Sequence, residues 1–153
     1  MFDLKSRNEY AILCENTLDK MICERYGVKR NHFKYAIFDW QPDEQLRQVE
    51  LKTRFNNNIE DYDELTANDI KINDAKNKPF ESYFLYWFKN GDLYEWKYDP
   101  DVKLPRLTNG DKNLGENHIK ERPHIPTKLL TKIGNFKLPD NNKQIVKGKC
   151  LLG

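Results

Sequence analysis

A chain of 153 residues, 38% hydrophobic and 12% aromatic, is long enough to bury one core and too rich in large apolar side chains to be a disordered tail. Its 26 basic and 24 acidic residues leave a net charge of only +2, so function must be sought in where charges sit and not in their sum. No apolar run reaches membrane-spanning length, the opening MFDLKSRNEY has no signal-peptide core, and Cys14, Cys23 and Cys150 have neither disulfide-framework nor zinc spacing, so a soluble, intracellular (cytoplasmic) chain with reduced thiols is expected.

The first element is a helix over about 6–26, stopped by Gly27. At 100° per residue Ala11, Leu18 and Ile22 form one apolar stripe flanked by Cys14 and Met21, and Glu15 falls inside it. A carboxylate among core-facing residues is costly unless it is paired, hydrogen-bonded or metal-bound; an arginine such as Arg54 is one possible mate.

Two strands are expected next, Tyr35 to Trp40 and Leu46 to Arg54, joined by the turn residues Gln41-Pro42-Asp43-Glu44. On the second strand Val49 and Leu51 face one way while Gln48, Glu50, Lys52 and Arg54 face the other. A turn centred between Glu44 and Gln45 sets Asp39 directly across from Glu50. The polar segment 56–78 is harder to assign; a helix over part of 60–77 would put Leu65, Ile72 and Lys76 on one side.

Tyr83 to Phe88 is apolar on both faces, the mark of a central strand. Lys89-Asn90-Gly91-Asp92 turns the chain, and Leu93 to Tyr98 returns with Tyr94, Trp96 and Tyr98 on one face. These aromatics fit core packing better than base stacking. Beyond Pro100 the sequence reads as a basic, irregular extension (99–153) with one short helical candidate, Pro126 to Ile133. The histidines His32, His118 and His124 have no ligand spacing and read as surface or structural. The whole is a mixed α/β (α+β) chain, residues 1–153 forming one domain with its core over about 6–98.

Asp39 and Glu50 on neighbouring strands would offer two hard oxygen ligands, and the backbone carbonyl of Leu51 a third, a set suited to Mg²⁺ with Mn²⁺ able to substitute. Lys52, on the same face as Glu50, could orient a nucleophile or stabilise charge on a phosphate, and Glu15 would complete or position the cluster. Arg54, Lys71 and Lys76 are candidates for contacting substrate phosphates.

With Asp39 followed eleven residues later by Glu50-Leu51-Lys52, and with an acid-bearing helix upstream, residues 6–98 resemble the PD-(D/E)XK nuclease superfamily of restriction endonucleases and Holliday-junction resolvases. The string VELKTR (Val49 to Arg54) is similar to that family's motif strand, although Phe38 stands where a proline often precedes the aspartate. The resemblance implies a restriction-endonuclease-like α-β-β-β-α-β core, a central mixed sheet flanked by helices. It further implies Asp39 and Glu50 as metal ligands, Lys52 as the catalytic lysine, and hydrolysis of DNA by activated water. A resolvase role would call for a homodimer, and an inactive module binding nucleic acid or a protein is the alternative. The Asn- and Lys-rich composition is that of an AT-rich genome such as a phage or large virus.

Overall fold

A computed structural model describes residues 4–33, 35–109 and 119–140, without the side chains of residues 4, 5 and 109; Cys150 and His118 lie outside the described residues. Helix α1 (Leu4–Tyr26) buries Tyr10, Cys14, Leu18, Ile22 and Tyr26. This row of every fourth residue drifts about 40° per step around the helix, which lets one face follow a twisted sheet. Ala11, expected in the stripe, is exposed: the bulky Tyr10 takes that place, its ring edge-on to Phe55 at 5.1 Å and its hydroxyl donating to the Pro139 carbonyl at 2.7 Å.

The helix stops at Gly27, whose φ of 67° is left-handed and whose missing Cβ would lie 2.5 Å from Gln45 Cγ. Gly27→Ala is therefore expected to cost about 1–2 kcal/mol from backbone strain alone, read as a lowered urea midpoint with an unchanged slope.

Strand β1 (Val28–Arg30) pairs antiparallel with β2 (Trp40–Pro42), and β2 with β3 (Arg47–Arg54). This corrects the sequence reading in two places. Residues 35–39 are loop, and Gln41-Pro42, expected as turn, are strand. The cause is β1, unrecognised in the sequence, which offers Val28 and Lys29 as partners to Pro42 and Gln41. Proline at the strand's last position costs no interior ladder bond.

A crossover follows: a 3₁₀ turn (Ile59–Asp61), strand β4 (Glu64–Thr66) and helix α2 (Asp69–Asn77). Asn68 caps α2, accepting from the Ile70 N–H at 2.8 Å, as asparagine at an N-cap does. The helix expected over part of 60–77 is present and carries Ile72 and Lys76, but Leu65 belongs to β4. Strand β5 (Glu81–Phe88) then lies parallel to β3, and β6 (Asp92–Lys97) returns antiparallel. Tyr83, Leu85 and Trp87 join the core under α1, while Phe84, Tyr86 and Phe88 enter a second core on the opposite face.

Most of the described residues from 106 to 135 are strand and not irregular extension. Strands β7 (Arg106–Asn109) and β8 (Lys120–Pro126) form with β4 a second sheet in the order β4-β8-β7. The expected helix at 126–133 is only a 3₁₀ turn, Thr127–Leu129, followed by strand β9 (Thr131–Asn135). The open edge of β6 takes β9 as a partner, and that pairing outweighs a weak local helical signal. The main sheet is β1-β2-β3-β5-β6-β9, mixed in direction. Among the described residues no helix is long and apolar enough to cross a membrane.

Candidate functional site

The site forms where the sheet opens. β2 meets β3 only at Trp40–Val49, so from Glu50 onward β3 has no strand on that edge. Continuing the register by one residue places Asp39 opposite Glu50, as the sequence implies. The Asn31 N–H donates to the Asp39 carbonyl at 2.8 Å, pinning the foot of the loop. The Asp39 carboxylate in turn accepts from the Leu51 N–H at 3.0 Å, so a side chain caps the edge that β2 leaves bare.

Glu50 projects to the face that carries Phe84 and Tyr86 and is buried, 3% exposed. Lys71, reaching across from α2, is ion-paired to its Oε2, and Lys52 Nζ stands 3.5 Å from the same oxygen. The other oxygen, Oε1, is buried without a hydrogen-bond partner. Two ammonium groups offset much of the cost of burying the carboxylate, but an orphaned acceptor of this kind is rare in a folded interior.

Glu15 is held from the other side. Arg30, at the end of β1, donates to it at 2.7 Å and to Asn16 Oδ1 at 2.8 Å, and lies over the Trp40 ring at 5.4 Å. The mate of Glu15 is thus Arg30 and not Arg54. Burial raises the Glu15 pKa, Arg30 draws it back, and the charge of Glu50 raises it further. The Asp39 carboxyl is pushed up to about 8, first by burial, then by Glu50 and Glu15, against Lys71 and the Leu51 N–H. Three acids therefore feel one another's charge within a few residues of the sheet opening. Burial lowers the pKa of Lys52, with Glu50 opposing.

Arg30 carries a prediction of its own. Arg30→Ala leaves Glu15 a half-buried charge without its partner, and a loss of about 3 kcal/mol is expected, as for other broken buried pairs. Adding Glu15→Gln should return most of it; equal urea midpoints for Arg30→Ala and wild type would remove the pairing from the account.

Of the candidate phosphate contacts, Lys71 is engaged with Glu50 instead. Lys76 is exposed in the last turn of α2, away from the acids, because it sits five residues, about 140° around the helix, from Lys71. Arg54 lies over the Tyr86 ring at 5.8 Å. The aromatics of β6 pack in the second core: Trp96 on Phe84, Tyr94 on Phe88 and Tyr98 on Trp96. His124 is buried with Nδ1 2.8 Å from the Arg122 carbonyl, a structural place.

Sequence reasoning missed Arg30, because β1 is three residues long, and missed the loop before Asp39, where Phe33 and Tyr35 stand 68% and 74% exposed. The aromatic and β-forming residues from Tyr35 to Trp40 read as a strand by composition. Among the described residues no three His, Cys, Asp or Glu side chains stand in an arrangement that could hold a metal ion; Glu50 and Glu15 are each drawn to a basic partner. The donor chemistry still fits a hard cation, with carboxylates from a strand (Glu50), the loop before β2 (Asp39) and a helix (Glu15), and an unsatisfied buried oxygen among them. No protein-family model, curated protein or solved structure matches the chain.

Proposed function

We propose that this protein is a magnesium-dependent DNA endonuclease of the PD-(D/E)XK kind. The observation that carries the reading is Glu50, buried with one oxygen unpartnered, beside an Asp39 whose carboxyl is pushed up to about 8, first by burial and then by the charges of Glu50 and Glu15. Sites built to take a cation crowd acids in this way. The element order along the main sheet supports it: a helix, three antiparallel strands, a helix, and a strand parallel to the third.

Asp39, Glu50 and the Leu51 carbonyl are the proposed ligands. In an extended strand a residue's N–H and C=O leave by the same edge, so the Leu51 carbonyl emerges on the side where its N–H meets Asp39. When bound, Mg²⁺ (or Mn²⁺) would neutralise phosphate oxygens and make water a stronger nucleophile at neutral pH. The chain's own groups do the rest. Lys52 donates to a phosphate oxygen as negative charge grows there, in a setting of low polarity where that contact counts for more than in water. Arg30 fixes Glu15, which orients the water.

A second reading has its own support. The Lys71 ammonium on Glu50 already neutralises that carboxylate, which is what a non-cleaving nuclease-fold module, binding nucleic acid or a protein, would need. One assay separates the two: supercoiled, linear, single-stranded and branched DNA incubated with Mg²⁺ or Mn²⁺, wild type beside Lys52→Met. Metal-dependent cutting that Lys52→Met reduces by about 10²–10³-fold supports the nuclease. Binding without cutting by the wild type favours the module.

A further inference from the structure

On the same face of β3, one step beyond Lys52, a cavity of about 310 Å³ opens between Arg54, the β4 residues Glu64 and Thr66, Tyr62, and Leu107 and Thr108 of β7. That volume is at the small end for ligand pockets and suits one ring system. Its polar lining is two-signed. Apart from the Tyr86 ring beneath it, the Arg54 side chain makes no ion pair or hydrogen bond among the described residues, and neither does that of Glu64. A free guanidinium and a free carboxylate on one cavity match a planar ligand that presents acceptors on one edge and donors on another, while Leu107 and Tyr62 offer flat apolar contact. Nucleobases are such ligands, read by arginine at their acceptors and by glutamate at their amino groups.

Continuity with the acid cluster identifies the source of the base. Arg54 follows Lys52 by two residues, about 6.6 Å along the strand. Tyr86, the β5 neighbour of Lys52, bonds through its hydroxyl to the Thr66 carbonyl at 2.9 Å, tying the cavity wall to the site. We propose that the cavity receives the unpaired base of the nucleotide next to the phosphate held at Glu50 and Lys52, so that the substrate is a strand with at least one unstacked nucleotide. The position of that nucleotide rests on the nuclease reading; the capture of a base does not.

The test is binding to a single-stranded oligodeoxycytidylate, whose bases carry both an amino group and acceptors, and to an abasic strand of equal length, followed by anisotropy in a chelator, so that no cleavage enters. The two probes carry the same backbone charge, and the ratio of their affinities reads the bases alone. Wild type should prefer the base-bearing strand by about tenfold or more, the worth of one base stacked on a side chain. Thr108→Met, at an exposed position in the cavity wall, narrows the cavity without adding an aromatic ring and should lose that preference while keeping its affinity for the abasic strand. A wild type with no preference overturns the inference without any variant, and a preference that persists in Thr108→Met overturns it too, placing the base elsewhere. Cutting without base preference would leave the nuclease reading and remove this one; base preference without cutting would do the reverse.

Discussion

Glu50→Gln is expected to reduce metal-dependent cleavage by about 10³-fold and, separately, to lower stability by about 3 kcal/mol. The two losses have different origins. Cleavage falls because the amide is a poorer ligand for a hard cation than a carboxylate. Stability falls because Lys71, with only 18% of its side chain exposed, keeps its charge after its counter-charge has gone. The double variant Glu50→Gln/Lys71→Met separates them. Without the ammonium most of the stability should return, since an apolar replacement of a buried pair is often neutral, yet cleavage should stay at the single-variant level. Urea titrations and initial rates on the preferred DNA form check both. Cleavage that returned with stability in the double variant would make Glu50 a structural residue and remove it from the site.

The acids were legible in the sequence because their signals are local and periodic. Alternation along 46–54 fixes which residues share a face with Glu50, and a doubly apolar run identifies β5. The turn centre between Glu44 and Gln45 gives the Asp39–Glu50 register even though the strand carrying Asp39 was misplaced by several residues. The reason is simple: register depends on the centre of the connection, and the observed pair Trp40–Val49 has the same centre, between residues 44 and 45, wherever the strand ends fall. What stayed hidden depends on distant pairing. β1 is three residues long and exists because β2 lies beside it. β9 exists because β6 has an open edge. Arg30 becomes the partner of Glu15 only when β1 forms, and the base-sized cavity needs β4, from a segment that reads as part of a helix, and β7 and β8, from segments that read as irregular. The Tyr10-for-Ala11 exchange in α1 has another origin: the helical wheel treats apolar positions as equal, while folding favours the larger buried area.

In a chelator, the stability of the wild type is expected to fall as pH rises from about 4 to about 8, the reverse of the usual behaviour of a paired carboxylate. Asp39 has an ordinary pKa of 3.8 and is pushed up to about 8 in the folded chain. Below pH 4 both states hold the proton and the group contributes no difference. Between the two values the folded state keeps the proton while the unfolded state releases it, so stability drops by about 1.4 kcal/mol per pH unit, on the order of 5 kcal/mol in all. Glu15, also raised by burial, acts in the same direction, whereas Glu81, lowered to about 2 by Lys97 and Arg47, has its effect below pH 5. The difference between wild type and Asp39→Asn isolates the contribution of Asp39, because the amide mimics the neutral acid and can still accept from the Leu51 N–H. The two proteins should be equally stable at pH 4, and Asp39→Asn several kcal/mol the more stable at pH 8. A cation reverses the balance, since it favours the ionised form and displaces the proton. Its apparent affinity for the wild type should therefore rise about tenfold per pH unit up to about 8 and then level, and in Asp39→Asn it should be weak and flat. Mg²⁺ titrations followed by tryptophan fluorescence at pH 6, 7 and 8 read this slope directly. A wild-type affinity independent of pH over that range would mean that Asp39 does not hold the ion.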